Sequence, residues 1–505
     1  MRSSQLKQTG ILFIGQLLIK ISGFIKQLLL AFFLGISADV DLISIVQIIP
    51  TIIAGMIAGG AGEILVTQRS KDDYHNSVFT TYFISIVVGL TIAIGTVYAL
   101  CLPFAADLFH IPTQKMALFQ GMSLLIIASK VPSAFVSGLQ HLLYAKGKYN
   151  FFVLSTLLAE IAGIITIVLL VDSQGILAFA YGMMITPTVN ALLFVYAHQL
   201  KFGVLFLKKE WLSVKTEIFE IFRKIFSLSL QTLITHLSTF WERTLSLRYL
   251  PEGFLSALNY SKSVTELPRM AVLSSVLTTT YIEQTHQKAE SEDAFKSYSN
   301  KMEMFLSEVA FMFQMGSILF GPLLIILIFK RGAFHSGDVI DTFELFQYLS
   351  IGFVPGLMMS FLSRTMYIEG LYKQLFNVTF IKFLLEVGIM TIGISYSMYA
   401  IPLALVVSKF FGSITLFSIL ELKKPGIFNR VAFVRLYAVL LILSIGISFL
   451  NHYFIHTIVN KTIFELFLIY VPIALCFFGI SLFLLNKRYG SEWRKLLSKK
   501  RKSKA

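Results

Sequence analysis

The chain has 505 residues, 56% of them hydrophobic and 14% charged, with a mean hydropathy of +0.75. Soluble proteins carry about 25% charged residues, so an ordinary cytosolic enzyme is excluded. The net charge of +15 does not signal nucleic acid, because nine Lys and Arg against one Glu crowd into the tail from Lys487 to Ala505. A basic cluster directly after an apolar stretch anchors to anionic lipid on the cytoplasmic face.

A bilayer core of ~30 Å needs about 20 residues of helix. Windows of that size predict fourteen spans, near residues 9–34, 42–66, 78–101, 117–141, 150–171, 175–198, 225–249, 254–282, 303–329, 343–368, 374–396, 399–421, 432–451 and 463–486. Unbroken apolar runs exclude a β-barrel, whose strands alternate. The first run is no cleavable signal, since it exceeds the usual apolar core of a signal peptide and holds Lys20 and Lys26. The expected fold is an all-α polytopic membrane protein of about 14 transmembrane helices. Two six-helix lobes take residues 1–198 and 225–421, joined by a basic interfacial linker at 199–224. Two further spans fill 422–486, and 487–505 is the basic cytoplasmic tail.

An even span count puts both termini on one side. The termini and loops of that side hold 29 Lys and Arg, and the opposite loops hold five: Lys115, Arg248, Lys330, Arg331 and Lys461. This bias places both termini in the cytoplasm. Each lobe also carries one copy of a faint repeat. Leu34-Gly35 precedes Pro50 inside span 2, and Leu250-Pro251 precedes Pro268 inside span 8. Repeated bundles of this kind put a transporter's site between them. Span 2 continues through Gly55 and Gly59, a spacing that permits close helix packing or a moving gate.

Nine cations fall within spans: Lys20, Lys26, Lys130, Arg243, Lys262, Arg269, Arg364, Lys382 and Lys409. Each costs at least ~2.5 kcal/mol at a helix centre, so each should face a cavity or a partner. Lys382 has Glu386 one turn on, and Lys262 has Glu266. Lys20 and Lys26 share span 1 with no carboxylate. If Glu63 and Glu160 face away from them, the first lobe presents a cationic cavity suited to phosphate or pyrophosphate. Asp41 opens span 2, as a helix cap or a cavity residue. No Walker loop, GxSxG or HExxH occurs, His452 with His456 reads as interfacial, and Cys101 and Cys476 lie far apart. The expectation is a transporter without catalytic residues, metal or cofactor.

Three stretches carry a resemblance to a known family. The first is Lys20-Ile-Ser-Gly-Phe-Ile-Lys26-Gln27, continuing to Gly35, Asp41 and Pro50. The second runs from Leu250-Pro-Glu-Gly-Phe to Tyr260 and Glu266-Leu-Pro268, and the third is Phe329-Lys-Arg331-Gly332-Ala333-Phe334. In order and spacing they resemble the MurJ/MviN lipid II flippases of the multidrug/oligosaccharidyl-lipid/polysaccharide exporter superfamily. The resemblance implies two lobes alternating around a central cavity, a cationic site for a pyrophosphate-linked sugar, and a groove at spans 13 and 14 for the prenyl tail. It also implies roles: Lys20, Lys26, Asp41, Lys262 and Glu266 in the cavity; Gly55, Gly59, Pro50 and Pro268 in gating or packing; Arg331, Gly332, Ala333 and Phe334 as the loop motif. Of the family's four cavity arginines, two align with Lys20 and Lys26 and two with Ala54 and Ser263. The aspartate after the second arginine is Gln27, and a span 7 carboxylate that binds sodium in some members aligns with Arg243. Lysine keeps the charge and loses the bidentate fork. These departures bear on sugar specificity and on sodium coupling.

The leading function is a flippase for an undecaprenyl-pyrophosphate-linked sugar, with lipid II of peptidoglycan synthesis first, in the bacterial inner membrane. A flippase for another polysaccharide's lipid-linked unit stays open, as does a small-molecule exporter of the same superfamily. A non-transporting scaffold predicts dispensable cavity cations. The partners expected are the lipid-linked substrate and membrane lipids, not nucleic acid.

Overall fold

A computed structural model describes residues 2–58, 73–145, 149–198, 208–268, 274–462, 464–480 and 483. Gly59, Glu63, Arg269 and the tail from Lys487 lie outside these residues. Each of the fourteen predicted stretches is mainly helical where it is described, with span 2 interrupted at Gln47 and span 10 at Gly352. The first lobe comprises α1 (Arg2–Leu34), α2 (Ala38–Val46), α3 (Ile48–Ala58), α4 (Asp73–Leu100), the short α5 (Leu102–Leu108), α6 (Met116–Ala145), α7 (Tyr149–Gln174) and α8 (Leu177–His198). The second comprises α9 (Lys208–Tyr249), α10 (Phe254–Pro268), α11 (Ser274–Glu290), α12 (Glu292–Phe329), α13 (Ser336–Ile351), α14 (Phe353–Ile368), α15 (Tyr372–Gly393) and α16 (Ala400–Lys423). Spans 13 and 14 are α17 (Arg430–Val459) and α18 (Phe464–Ile480).

Ten described helices are long and apolar enough to cross a membrane, and the pair α13–α14, bent by 42°, makes an eleventh span. α18 misses that test by length. Span 7 misses it because Ser, Thr and charged residues dilute it, and span 8 because its described helices hold 15 and 17 residues. Those two polar spans also line the site below. From Lys208 the linker runs into span 7 as one helix of 42 residues, with no break at position 225.

Proline sets the break in span 2. The Pro50 ring clashes with the carbonyl four residues back and lacks a helical N–H, and that carbonyl belongs to Val46, the last residue of α2. In span 8, Pro268 lies within α10, and the helix is unbroken four residues before it.

The end of the bundle away from the N-terminus of α1 is called distal below, and the other end proximal. Distally the two lobes share one apolar core: Leu30, Val40 and Ile43 of the first lobe are continuous with Leu258, Tyr260 and Phe343 of the second. Proximally the two lobes have separate cores, and the linker turns of α9, with Val214 and Ile218, pack into that of the first lobe. One is built on Phe79, Phe83 and Phe194, and the other on Leu306, Phe361 and Phe417. Buried apolar area stabilises by roughly 25 cal/mol per Å², so the distal core joins the lobes while the proximal cores hold each lobe to itself. Between lobes, α9 packs on α3 and α10 on α2.

Candidate functional site

A cavity of about 440 Å³ lies between the lobes, beneath the shared distal core. α1 contributes Lys20 and Gln27, α2 contributes Ser44, α9 contributes Arg243, and α10 contributes Asn259, Lys262 and Glu266. Lys20 has no carboxylate partner among the described residues. Lys262 is paired, but not with Glu266: its ammonium lies 2.5 and 2.6 Å from the two carboxylate oxygens of buried Glu242 on α9. The sequence expectation of a one-turn pair fails because α9 crosses closer to Lys262 than the next turn of its own helix.

Arg243 is one of the cations that sequence reasoning left without a role. Its guanidinium donates to the main-chain carbonyl of Ser44. That carbonyl sits in the last turn of α2, where helix carbonyls lack a partner of their own and the dipole favours a cation. Asn259 Nδ2 donates to Ser44 Oγ at 2.9 Å. One residue at the proline break of α2 is thus held by two side chains of the other lobe.

Two residues assigned to the cavity are elsewhere. Asp41 is buried in the distal seam, accepting from the backbone N–H of Gly253 at 2.7 Å and of Ser256 at 2.6 Å. It caps α10 of the opposite lobe, while Ser37 caps its own helix. Carboxylates favour such helix N-termini because unpaired N–H groups converge there. Lys26 points into the first lobe, 2.6 Å from Glu160 of α7 and 2.9 Å from Thr186 Oγ1 of α8. Glycine makes that seat possible, since a Cβ on Gly163 would come within 2.1 Å of Thr186 Oγ1. Glu160 therefore faces Lys26, and Lys20 alone of the span 1 pair reaches the cavity. In the sequence, a lone carboxylate in span 5 and two cations in span 1 without a carboxylate of their own were the available signal for this pair.

The loop motif closes the seam. The Arg331 guanidinium donates to the carbonyls of Leu327 at 2.7 Å and Ile328 at 3.0 Å, finishing α12. Gly332 has φ +62, and a Cβ there would lie 2.2 Å from the Phe32 carbonyl. Ala333 N donates to that carbonyl at 2.8 Å. Phe334 is buried and stacks on Phe329 with ring centroids 5.4 Å apart. Tyr260 Oη reaches the Gly35 carbonyl at 3.0 Å. These residues join α1 and α2 to α10 and α12.

A smaller cavity of about 200 Å³ inside the second lobe shares Lys262 with the central one. Glu386 in it accepts from Lys382 at 2.9 Å, from Ser408 at 2.6 Å and from Ser238. The Lys382–Glu386 pair is the one its spacing predicts. At the distal end, His452 Nδ1 lies 3.4 Å from Glu344. Gly55 lies on α3, half-buried.

Comparison with known proteins agrees with this architecture. A solved structure of the lipid II flippase MurJ in an inward closed conformation matches with a TM-score of 0.76 and 18% identity, covering 94% of this chain and 99% of that one. An inward-facing multidrug resistance MATE family transporter of the MOP superfamily matches with a TM-score of 0.60 and 15% identity, over 83% of this chain and 95% of its own. A MOP superfamily transporter from Pyrococcus furiosus gives 0.56 and 16%, over 83% and 96%. At these identities the structures establish the fold. No curated protein sequence matches significantly. The family model for the lipid II flippase MurJ matches residues 30–471, a stretch that holds α2, α9 and α10 of the cavity, the distal seam and the loop motif, while Lys20, Lys26 and Gln27 of α1 precede it. The chain belongs to the MurJ lipid II flippase family, multi-pass inner-membrane transport proteins of peptidoglycan synthesis.

Proposed function

We propose that the central cavity holds the pyrophosphate-linked sugar of lipid II while the two lobes rock about the distal seam. The observation that carries this reading is Lys20: a mid-span cation lining a cavity between lobes, with no carboxylate partner among the described residues. An unpaired charge at such a depth costs several kcal/mol unless an anion or water meets it. Lys262 adds a second ammonium at the cavity wall, held by Glu242. Lys26, seated against Glu160, braces the first lobe in this conformation.

The cation bias supports proximal ends in the cytoplasm and a distal seam on the outer side. Reporters fused after Asn300 and at His335 should score cytoplasmic and extracytoplasmic respectively, and a cytoplasmic score at His335 reverses the orientation. The tail groove is assigned to α17 and α18, which expose Phe449, Phe464 and Leu468 on their outer faces. Next to these faces, Phe320 of α12 clusters with Tyr470, Phe477 and Phe478. Deleting residues from about Arg430 onward should then abolish flipping while the two lobes remain folded.

The deciding experiment is complementation of a strain depleted of its lipid II flippase. The wild-type chain should restore growth, and Lys20→Ala should not, at equal membrane abundance. Failure of the wild-type chain, together with flipping of a different lipid-linked sugar in proteoliposomes, would move the substrate to another polysaccharide's precursor.

A further inference from the structure

We infer that Arg243 is both a ligand of the substrate's anionic head and the bolt of the distal seam, so that anion binding and opening of the seam compete for one guanidinium. The inference rests on the central cavity being the pyrophosphate site.

Four observations carry it. Arg243 lines the central cavity together with Lys20. It crosses from α9 to α2, so its hydrogen bond to Ser44 joins the two lobes. Its acceptor there is a neutral carbonyl, whereas a guanidinium prefers a carboxylate or phosphate by roughly a factor of two in hydrogen-bond strength. Its Nε is buried and has no hydrogen-bond partner, and the adjacent carboxylate, Glu242, is already held by Lys262. The guanidinium of this cavity-lining residue thus has unused donor capacity, and its single described acceptor is weaker than the expected ligand.

The consequence is mechanical. In the absence of an anion, Arg243 caps the orphaned turn of α2 and ties the lobes at the Pro50 break. A pyrophosphate beside Lys20 offers charged oxygens in bidentate geometry. Turning Arg243 toward it releases the Ser44 carbonyl and leaves Asn259 as the remaining side-chain tie to that residue. Substrate binding then weakens the seam that has to part for release on the far side. A ligand can shift such an equilibrium only by its differential affinity for the two states, and Arg243 supplies that difference.

The test uses the full chain in lipid nanodiscs with inorganic pyrophosphate as the probe. Affinity is read by calorimetry. Seam opening is read as the distance between spin labels at Gln114→Cys and Glu252→Cys, both exposed distal positions, with Cys101 and Cys476 replaced by Ser. In the otherwise unsubstituted chain, pyrophosphate should bind and lengthen the label distance. Arg243→Gln keeps a donor for the Ser44 carbonyl but removes the charge. It should bind roughly 30-fold more weakly or worse and show no lengthening even at saturation. Arg243→Lys should bind and still open, with reduced affinity. Lys20→Ala should weaken binding yet lengthen normally once saturated, which separates a ligand from a ligand that is also a bolt. Unchanged affinity in Arg243→Gln, or full lengthening at saturation in that variant, overturns the role of Arg243 and leaves the cavity reading standing. Absence of pyrophosphate binding to the unsubstituted chain, or equal binding by Lys20→Ala, overturns the cavity reading and this inference with it.

Discussion

The distal and proximal ends of the bundle solve different problems. At the distal end the lobes share one apolar core, and all but one of the polar ties named above use main-chain groups: Asp41 to two N–H groups, Ala333 N to the Phe32 carbonyl, Tyr260 to the Gly35 carbonyl, Arg243 to the Ser44 carbonyl, with Asn259 to Ser44 Oγ the exception. At the proximal end of the second lobe, charges pair with charges near water: Lys288 with Glu292 and Glu369, Lys424 with Glu369, Arg430 with Glu421. The difference follows from solvent. Ion pairs at the aqueous ends are weak and screened, so they suit fixed loops of one lobe. Inside a bilayer, every backbone group freed by a broken helix needs a partner, and the other lobe provides it. The seam is therefore specific in geometry and nearly neutral in charge, which lets it part without separating a dense set of ion pairs in hydrocarbon.

The sharpest way to break this comparison is Asp41→Ala. It removes the acceptor of two buried N–H groups at the start of α10. Hydrogen bonds to charged groups contribute roughly 1.5–3 kcal/mol each, so the loss should be about 3–6 kcal/mol by denaturant titration in micelles. Asp41→Asn keeps one good acceptor and should lose about half as much. A loss below about 1 kcal/mol would mean the seam is held by its apolar core alone.

Inside the first lobe the expected effect is slightly smaller and of another kind. Lys26→Ala leaves the half-buried Glu160 without its cation, and breaking such a pair inside a protein costs up to roughly 3–5 kcal/mol. Replacing both, Lys26→Met with Glu160→Met, should restore most of that stability. If the double variant is as unstable as the single one, the pair is not the source of the effect. Gly332→Ala should come next, losing roughly 1–3 kcal/mol from its positive φ and the approach to Phe32, read as a lowered midpoint in the same titration.

How much of this the sequence disclosed depends on what sets each feature. The spans were legible because the bilayer imposes length and apolarity on each one independently. The break after Val46 follows from Pro50 acting on its own helix, although the sequence reading keeps that proline inside one continuous span. Lys20 and Lys262 line the central cavity, a placement open to inference from sequence because a mid-span cation has few other options. Their neighbours were not legible. Lys26 finds Glu160 because α1 packs on α7, and Lys262 finds Glu242 because α9 crosses α10. Both facts belong to packing between helices distant in sequence. Asp41 looked like a cap for α2 and caps α10 instead, since a carboxylate at a helix start serves whichever N–H groups converge on it. Arg243 was harder still, because a main-chain carbonyl as partner leaves no residue-type signature.

The smallest effect belongs to the proximal surface, where Lys288 bridges Glu292 and Glu369 at 2.5 Å each. Burial opposes the Lys288 charge, but the two carboxylates prevail and hold its ammonium above the ordinary lysine range. Hydrogen bonding to Lys288 holds the Glu292 carboxyl below its ordinary value of 4.5. The signs fix the pH window. A depressed carboxyl contributes stability that is present above its unfolded value and is lost as pH falls through the folded one. A raised ammonium contributes stability that is present below about 10.5 and is lost as pH rises through the folded value. The contribution should accordingly be flat across neutral pH and fade at both extremes. Glu292 is 44% exposed, so water screens the pair, and Glu292→Gln should cost less than about 1 kcal/mol at pH 7. The same comparison made well below pH 4.5 should show no difference, because the native carboxyl is then protonated as well. Stability curves of the two proteins that stay apart in acid would show that Glu292 acts by packing, and the proximal loops would then resemble the seam more than the ion-pair surface described here.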